Sequence, residues 1–458
     1  MNDSYANLWT RRRAVRSRII ACLLGATASA AAASGENPPL DSELQRPLER
    51  RMVLRAALLR NPLVQAFRQR VQALRISADG EGALPPPEIR GEVWQVPISS
   101  PGRLDAQMIM VSVTQNVPAP GALGARAQAV AAQAKHEEAI GSDKARLILR
   151  EAGHAFSDYE ESWARHRVHR AHLAVTHQLE TLASARHGAG GALSDVARAQ
   201  VELSRLQADV VADAAKVESA RFRLNALLGR APEAPLGVPM ETEPMIAAWD
   251  VTTLLARARA SRPELKAALA EREARELTAT AASREATWPS MSLGALYFPP
   301  TAAMPQHGYG ASVALALPWL WGGAASRRDA AQKLASAAAT EADAARYPVD
   351  LDVVTAAAAA RGAAVRLQVL RDRTRSASRH ALEVAQAGYE SGRTDLIGVL
   401  DAGRMVIDVE DEIASSRGAL AHALTELEAA VGTDIPLRTL PALDPAVLEG
   451  GASDAEAH

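Results

Sequence analysis

Two short stretches of the chain alternate between apolar side chains and small or polar ones. Over 308–317, Tyr309, Ala311, Val313, Leu315 and Leu317 alternate with Gly310, Ser312, Ala314 and Ala316. Over 107–117, Ile109, Val111, Val113 and Val117 stand opposite Met110, Ser112, Thr114 and Asn116. A period of two places the two sets on opposite faces of a strand. A run of about ten such residues with one apolar face suits a strand of a membrane barrel, although an ordinary sheet with one dry face has the same pattern. Each stretch follows a strand-like segment, near 88–96 and 290–298. The rhythm then changes. Residues 120–187 hold no proline after Pro120, and 324–387 hold only Pro348. Each predicts a helix of about 65 residues, roughly 100 Å long at 1.5 Å per residue. Glycine-rich turns follow, at 188–191 and 388–392, and a second helix returns from each. In the first return helix Leu193, Val196, Val201, Leu203, Leu206 and Val210 form a repeating apolar stripe that neighbouring helices should cover.

The two halves repeat one plan. Pro62 and Pro263 open short helices 201 residues apart, and Pro87 and Pro289 precede strands 202 apart. Pro118 and Pro318 end strands 200 apart, and Gly229 and Gly432 end long helices 203 apart. That offset far exceeds the period of a solenoid and reads as a duplication: a strand hairpin joined to a long helical hairpin, twice. The expected divisions are a leader at 1–33, repeats at 34–235 and 236–435, and a flexible tail at 436–458 marked by Pro436, Pro441 and Pro445.

Composition agrees with long helices. Aromatic residues are 4% against 48% hydrophobic, so the apolar content is mostly alanine, leucine and valine, and alanine and leucine are strong helix formers. Arg11, Arg12, Arg13, Arg16 and Arg18, the apolar run from Ile19 to Ala28 and the small residues up to Ala33 make a secretion signal. Its removal takes away Cys22, the sole cysteine, and leaves 46 basic against 52 acidic side chains, a balance that argues against nucleic acid as partner. Beyond the leader no segment reads as a membrane-spanning helix, so any crossing must be made by strands of a closed barrel. His154, His166, His169, His172, His177 and His187 fall in the first helical hairpin. At most two share a face closely enough to reach one ion, so they read as solvated positions and no metal site is assigned. Glu410, Asp411 and Glu412 likewise read as a wet surface. No nucleophile elbow, phosphate loop or His-Glu-x-x-His motif is present, and neither catalysis nor a cofactor is expected.

Residues 388–402, Gly-Tyr-Glu-Ser-Gly-Arg-Thr-Asp-Leu-Ile-Gly-Val-Leu-Asp-Ala, closely resemble the periplasmic-tip motif of TolC-like outer-membrane efflux proteins. The likeness in plan runs from about residue 50 to 436. It implies a mostly α fold with a β-barrel portion. Three copies would supply a twelve-stranded outer-membrane barrel above an α-helical periplasmic tunnel. The partners implied are a periplasmic adaptor and an inner-membrane pump, with outer-membrane lipid around the barrel. By the same resemblance Tyr389 falls in the network that closes the tip, and Asp401 at an acidic constriction; the alternative for Asp401 is a surface pair with Arg404. A second acidic position is Gly398 here, and the closing arginine is displaced, with Thr394 in its place and Arg393 beside it. The turns with Gly188, Gly190, Gly191, Gly388 and Gly392 would dock the adaptor. The segment Gln115–Gly121 leading into Arg126 looks like members serving heavy-metal cation pumps; drug, lipid or protein export stay open. The competing classes are a periplasmic adaptor, which carries one helical hairpin among small β modules, and a structural coiled coil, which needs no alternating strands.

Overall fold

The computed structural model describes residues 38–94, 108–240, 250–301 and 304–432. The expected leader and the tail beyond Pro436 lie outside them. The chain divides into two units. The smaller comprises the residues up to Leu48 together with Pro235–Val238. In it a short helix, α1 (Pro38–Leu44), precedes a backbone pairing. Gly237 N donates to Leu44 O and Leu48 N to Val238 O, each at 2.9 Å. A side chain at 237 would collide with the Arg46 carbonyl, so this pairing requires glycine.

The larger unit holds the remaining elements. Helices α2 (Arg50–Arg60) and α3 (Pro62–Glu81) lead into strands β1 (Glu88–Trp94) and β2 (Met108–Val117). The long helix α4 (Ala122–Gly188) and the return helix α5 (Leu193–Leu227) come next. The order then recurs as α6 (Val251–Ser261), α7 (Pro263–Thr287), β3 (Ser290–Phe298) and β4 (Gly308–Ala316). The second long helical run is interrupted. It consists of α8 (Gly323–Ala344), α9 (Arg346–Val369), a π-helical turn (Leu370–Thr374) and α10 (Arg375–Glu390). The return helix is α11 (Leu396–Val431). Pro348, the interruption expected from sequence, sits in the first turn of α9, where its missing N–H leaves no bond unmade.

The four strands form one antiparallel sheet in the order β1-β2-β3-β4. Register sorts the side chains cleanly. Ile89 faces Val113, Val113 faces Ala295, and Ala295 faces Ala311. With Val93, Ile109, Val111, Val117, Met291, Leu293, Tyr297, Tyr309, Val313 and Leu315 they make one face that is apolar apart from Gln115. The opposite face carries Glu88, Arg90 and Glu92 across from Thr114, Ser112 and Met110, then Asn116, Ser292, Gly294 and Ser312. The apolar face is open: Ile89 is 77% exposed and Tyr309 81%.

Helix α11 is packed on two sides of different chemistry. Toward α9 and α6 it is dry. Ile413, Leu420, Leu424, Leu427 and Val431 meet Val349, Val353, Ala357, Ala360, Leu367 and Leu254. This same stretch of α9 corrects one expectation. The run Gly323–Glu390 contains a window apolar enough, by length and composition, to cross a membrane. Its apolarity comes from the alanines at 356–360 and the valines before them, several of which pack in this core. Toward α4 the contact is polar, built on histidines and paired charges.

The end of α11 shows how completely the backbone is satisfied. A helix leaves its last four carbonyls without partners. Here Gly432 N donates to Glu428 O at 2.8 Å. Arg262 Nη1 donates to Ala429 O and Ala430 O, Arg146 Nη1 to Ala429 O, and Ser261 Oγ to Val431 O. The corresponding residue of the first repeat, Asn61, instead caps α3 by accepting from Leu63 N at 2.9 Å.

Candidate functional site

Both helical hairpins turn on glycine. After α4, Gly190 has φ 99°, and Gly191 N donates to Arg186 O at 2.9 Å. After α10, Gly392 has φ 74°, and Arg393 N and Thr394 N both donate to Gly388 O. Asp395 then caps α11, its Oδ1 accepting from Gly398 N at 3.0 Å. Gly188 and Gly388 are the helical residues beside the turns.

One side chain joins the two turns. Arg186 lies with its guanidinium 4.1 Å from the centre of the Tyr389 ring. Its Nη2 donates to Tyr389 O at 2.7 Å and to Glu390 O at 3.3 Å. These are C-terminal carbonyls of α10, where a cation is favoured by the helix dipole as well. Tyr389 itself is buried among Ala183, Ala199, Leu396, Val399 and Leu400, and its hydroxyl is buried without a hydrogen-bond partner. Tyr389 thus belongs to a contact between the hairpins. Arg393 does not: it is exposed, and its Nε donates to Ser391 Oγ within its own turn. Thr394 is half-buried against Gly388. Sequence reading missed Arg186, because an arginine near a helix C-terminus is common and nothing in the sequence marks the tyrosine 203 residues away as its partner.

Asp401 lies on an open stripe of α11 with Ile397, Met405, Asp408, Glu412 and Ser415. Its carboxylate is 64% exposed and stands 3.6 Å from Arg404. Arg404 is better engaged elsewhere, with both Nε and Nη2 on Glu202 of α5. That hydrogen bond holds the Glu202 carboxyl below its usual value.

Between α4 and α11 lies a seam of buried and half-buried charge, and here two sequence expectations fail. His154 and His169 are not solvated. His169, 7% exposed, places Nδ1 2.5 Å from Asp213 of α5 and Nε2 3.3 Å from Asp411 of α11. Each nitrogen of the ring thus faces a carboxylate. Burial works against the charge on Asp213, but hydrogen bonds from Lys216 and His169 outweigh it and the carboxyl falls below its usual value. His166 has its Nδ1 buried without a partner. Nor is the acidic run a wet surface. Glu410 is buried between Arg375 and Arg379, at 2.6 and 2.8 Å, and Asp411 meets Arg165 at 3.2 Å. Burial opposes the Glu410 charge too, and the two arginines outweigh it. Only Glu412 is exposed, paired with Arg366. The apolar stripe expected on α5 is also rotated. Leu206 is buried, but Leu193 and Val201 are exposed, and Ala199 and Asp213 take inward places. Among the described residues no three histidine, cysteine or acidic side chains converge as a metal site.

Residues 254–433 match the family described as outer membrane efflux protein. No curated protein sequence matches the chain. Solved structures with the same fold include the outer-membrane protein VceC of Vibrio cholerae, with a TM-score of 0.67 at 15% identity, covering 84% of this chain and 97% of that one. The open-state MtrE outer-membrane channel of Neisseria gonorrhoeae gives 0.66 at 20%, covering 86% and 91%, and CusC gives 0.68 at 16%, covering 84% and 92%. Residues 254–433 thus resemble the outer membrane efflux protein family, and the described chain as a whole has the fold of these solved outer-membrane channels.

Proposed function

We propose that the chain is one protomer of a homotrimeric outer-membrane channel, the passive exit duct of a tripartite efflux system. The two-faced sheet carries this reading. One face is apolar and open, as lipid requires, and the other is lined by Glu88, Arg90, Glu92, Asn116 and Ser292, as a wet lumen requires. Among the described residues β1 and β4 are left as unpaired edges, and backbone groups in a bilayer must be paired. Edge pairing with two further copies closes twelve strands. Aromatic residues stand at both ends of the sheet, Trp288, Trp319 and Trp321 at one and Trp94, Tyr297 and Tyr309 at the other, as interfacial girdles do.

The helical hairpins then extend into the periplasm, and their glycine turns meet the adaptor that links the duct to an inner-membrane pump. Tyr347, Leu351 and Val354 form an exposed stripe on α9 suited to contact between copies. Asp401 lines the narrowest part of the closed tunnel, in a three-fold ring whose carboxylates attract cations. Carboxylates about 6 Å apart at an effective dielectric near 20 repel by roughly 3 kcal/mol per pair, so a bound cation is favoured there. The test is single-channel recording of purified protein of known mass. The reading expects a trimer that conducts, is blocked by polyvalent cations from the periplasmic side, and loses that block in Asp401→Ala. A monomer without conductance sinks the channel; a conducting trimer whose block is unchanged in the variant moves Asp401 off the constriction and leaves it a surface residue paired with Arg404.

A further inference from the structure

His154 of α4 and His422 of α11 meet head to head, Nδ1 against Nδ1. Their ring centroids are 4.6 Å apart and their planes 17° from parallel. The outer nitrogens are both committed to carboxylates: His154 Nε2 to Glu426 at 2.6 Å, and His422 Nε2 to Asp158 at 2.8 Å. An ionised carboxylate only accepts, so each Nε2 carries hydrogen, and a neutral ring protonated there has a bare Nδ1. Two bare nitrogens facing each other repel. Two protonated ones set N–H against N–H and repel as well. Only one shared proton lets one Nδ1 donate and the other accept.

We propose that His154 and His422 form a one-proton clasp between the two repeats, closed near neutral pH and opened by acid when each ring takes a proton of its own. The surroundings fit a single positive charge. On α4 the pair faces Arg150, Asp158 and Glu161; on α11, Glu426; on α5, Arg223, which reaches Asp158 at 3.0 Å. On α2, Arg50 is held by Glu428 and Thr425 beside it. The hydrogen bond from His422 holds the Asp158 carboxyl below its usual value, whereas burial pushes Glu161 up. In acid, then, Glu161 loses its charge before Asp158 does, and the negative surroundings of the pair are diminished. The helices are in close contact beside the clasp: a Cβ at Gly153 would come within 2.8 Å of Thr425 Cγ2. A second charge therefore cannot be absorbed by widening at one side chain; the seam between α4 and α11 must part.

The clasp rests on the fold alone and stands or falls apart from the duct. It is tested by hydrogen exchange of the full-length protein in detergent, at about pH 7.5 and about pH 5.5, either side of the ordinary imidazole value. Rates are corrected for intrinsic chemistry. Peptides around 148–160 and 416–428 should lose protection roughly tenfold in acid, as local opening does, while the α9 peptide at 349–367 holds. In the double variant His154→Asn, His422→Asn the acid step should vanish. The clasp is refuted if wild type shows no local step, or if the step survives in the double variant. Should that variant fail to fold, His422→Gln keeps a donor toward Asp158 and cannot titrate. It must abolish the step, and a surviving step refutes the clasp equally.

Discussion

Helix α11 is gripped from two sides by opposite means. Against α9 its partners are leucine, valine and alanine, closed to water. Against α4 they are His154, Asp158, Arg165 and His169, each held by an opposite charge or a shared hydrogen bond. The dry side gains its stability from apolar area, which no change of pH alters. The polar side is strong only while every charge has its partner, since a buried charge left alone is costly. The lesson is a division of labour. Within the second repeat the contact is permanent, and between the repeats it is conditional.

The largest expected effect is on the polar side. Asp213 is 2% exposed and pairs with both His169 and Lys216. Asp213→Ala removes the carboxylate that pairs with both His169 and Lys216 and should cost about 3–5 kcal/mol, measured by denaturant or thermal unfolding near pH 7. The cost should shrink in acid. A carboxyl held below its usual value contributes stability that is present above the unfolded value and lost as pH falls through the folded one. Asp158, Asp213 and Glu410 all lie on that side. On the dry side Leu427, fully buried, should lose about 2–5 kcal/mol on truncation to alanine, and that loss should be the same in acid. Equal pH dependence for the two variants would erase the distinction.

A smaller effect is expected at the tip. Arg186→Gln removes the cation over Tyr389 and weakens the donation to the α10 carbonyls. At a partly exposed site this amounts to about 0.5–1 kcal/mol for the ring contact. Global unfolding should hardly move, whereas the turn peptides at 183–193 and 386–396 should exchange faster and spontaneous openings in bilayers should become more frequent. Unchanged exchange at both turns would mean that Arg186 does not join the hairpins.

The fold was largely legible because its punctuation is local. Prolines 62, 263, 118 and 318 and glycines 229 and 432 mark element ends whatever surrounds them, and strict alternation at 309–317 admits few readings. The polar seam was not legible. His154, Asp158, Glu161, Arg165 and His169 recur at three- and four-residue spacing, which locally looks like a solvated helix face. Only the partners on α5 and α11, some 44 to 268 residues away, reveal it as buried. The π-helical turn was equally hidden, since Leu370–Thr374 contains neither glycine nor proline. One extra residue there rotates the next helix by about 100° about its axis, and α10 then presents Arg375 and Arg379 to Glu410. Tyr389 was singled out by motif, whereas Arg186, which packs on it from the other hairpin, was not.

The central claim is that the open sheet edges are completed by other copies of the same chain. Beyond Cys22 the sequence has no cysteine, so a disulfide scan between edges is clean. Ile89→Cys on β1 is combined in turn with cysteine at Tyr309, Ala311, Val313 or Leu315 on β4, and the protein is oxidised in outer membranes. The account predicts that one register crosslinks and yields covalent dimers and trimers with nothing larger, because the ring is closed. Monomers only, or a ladder that continues past three, would contradict it.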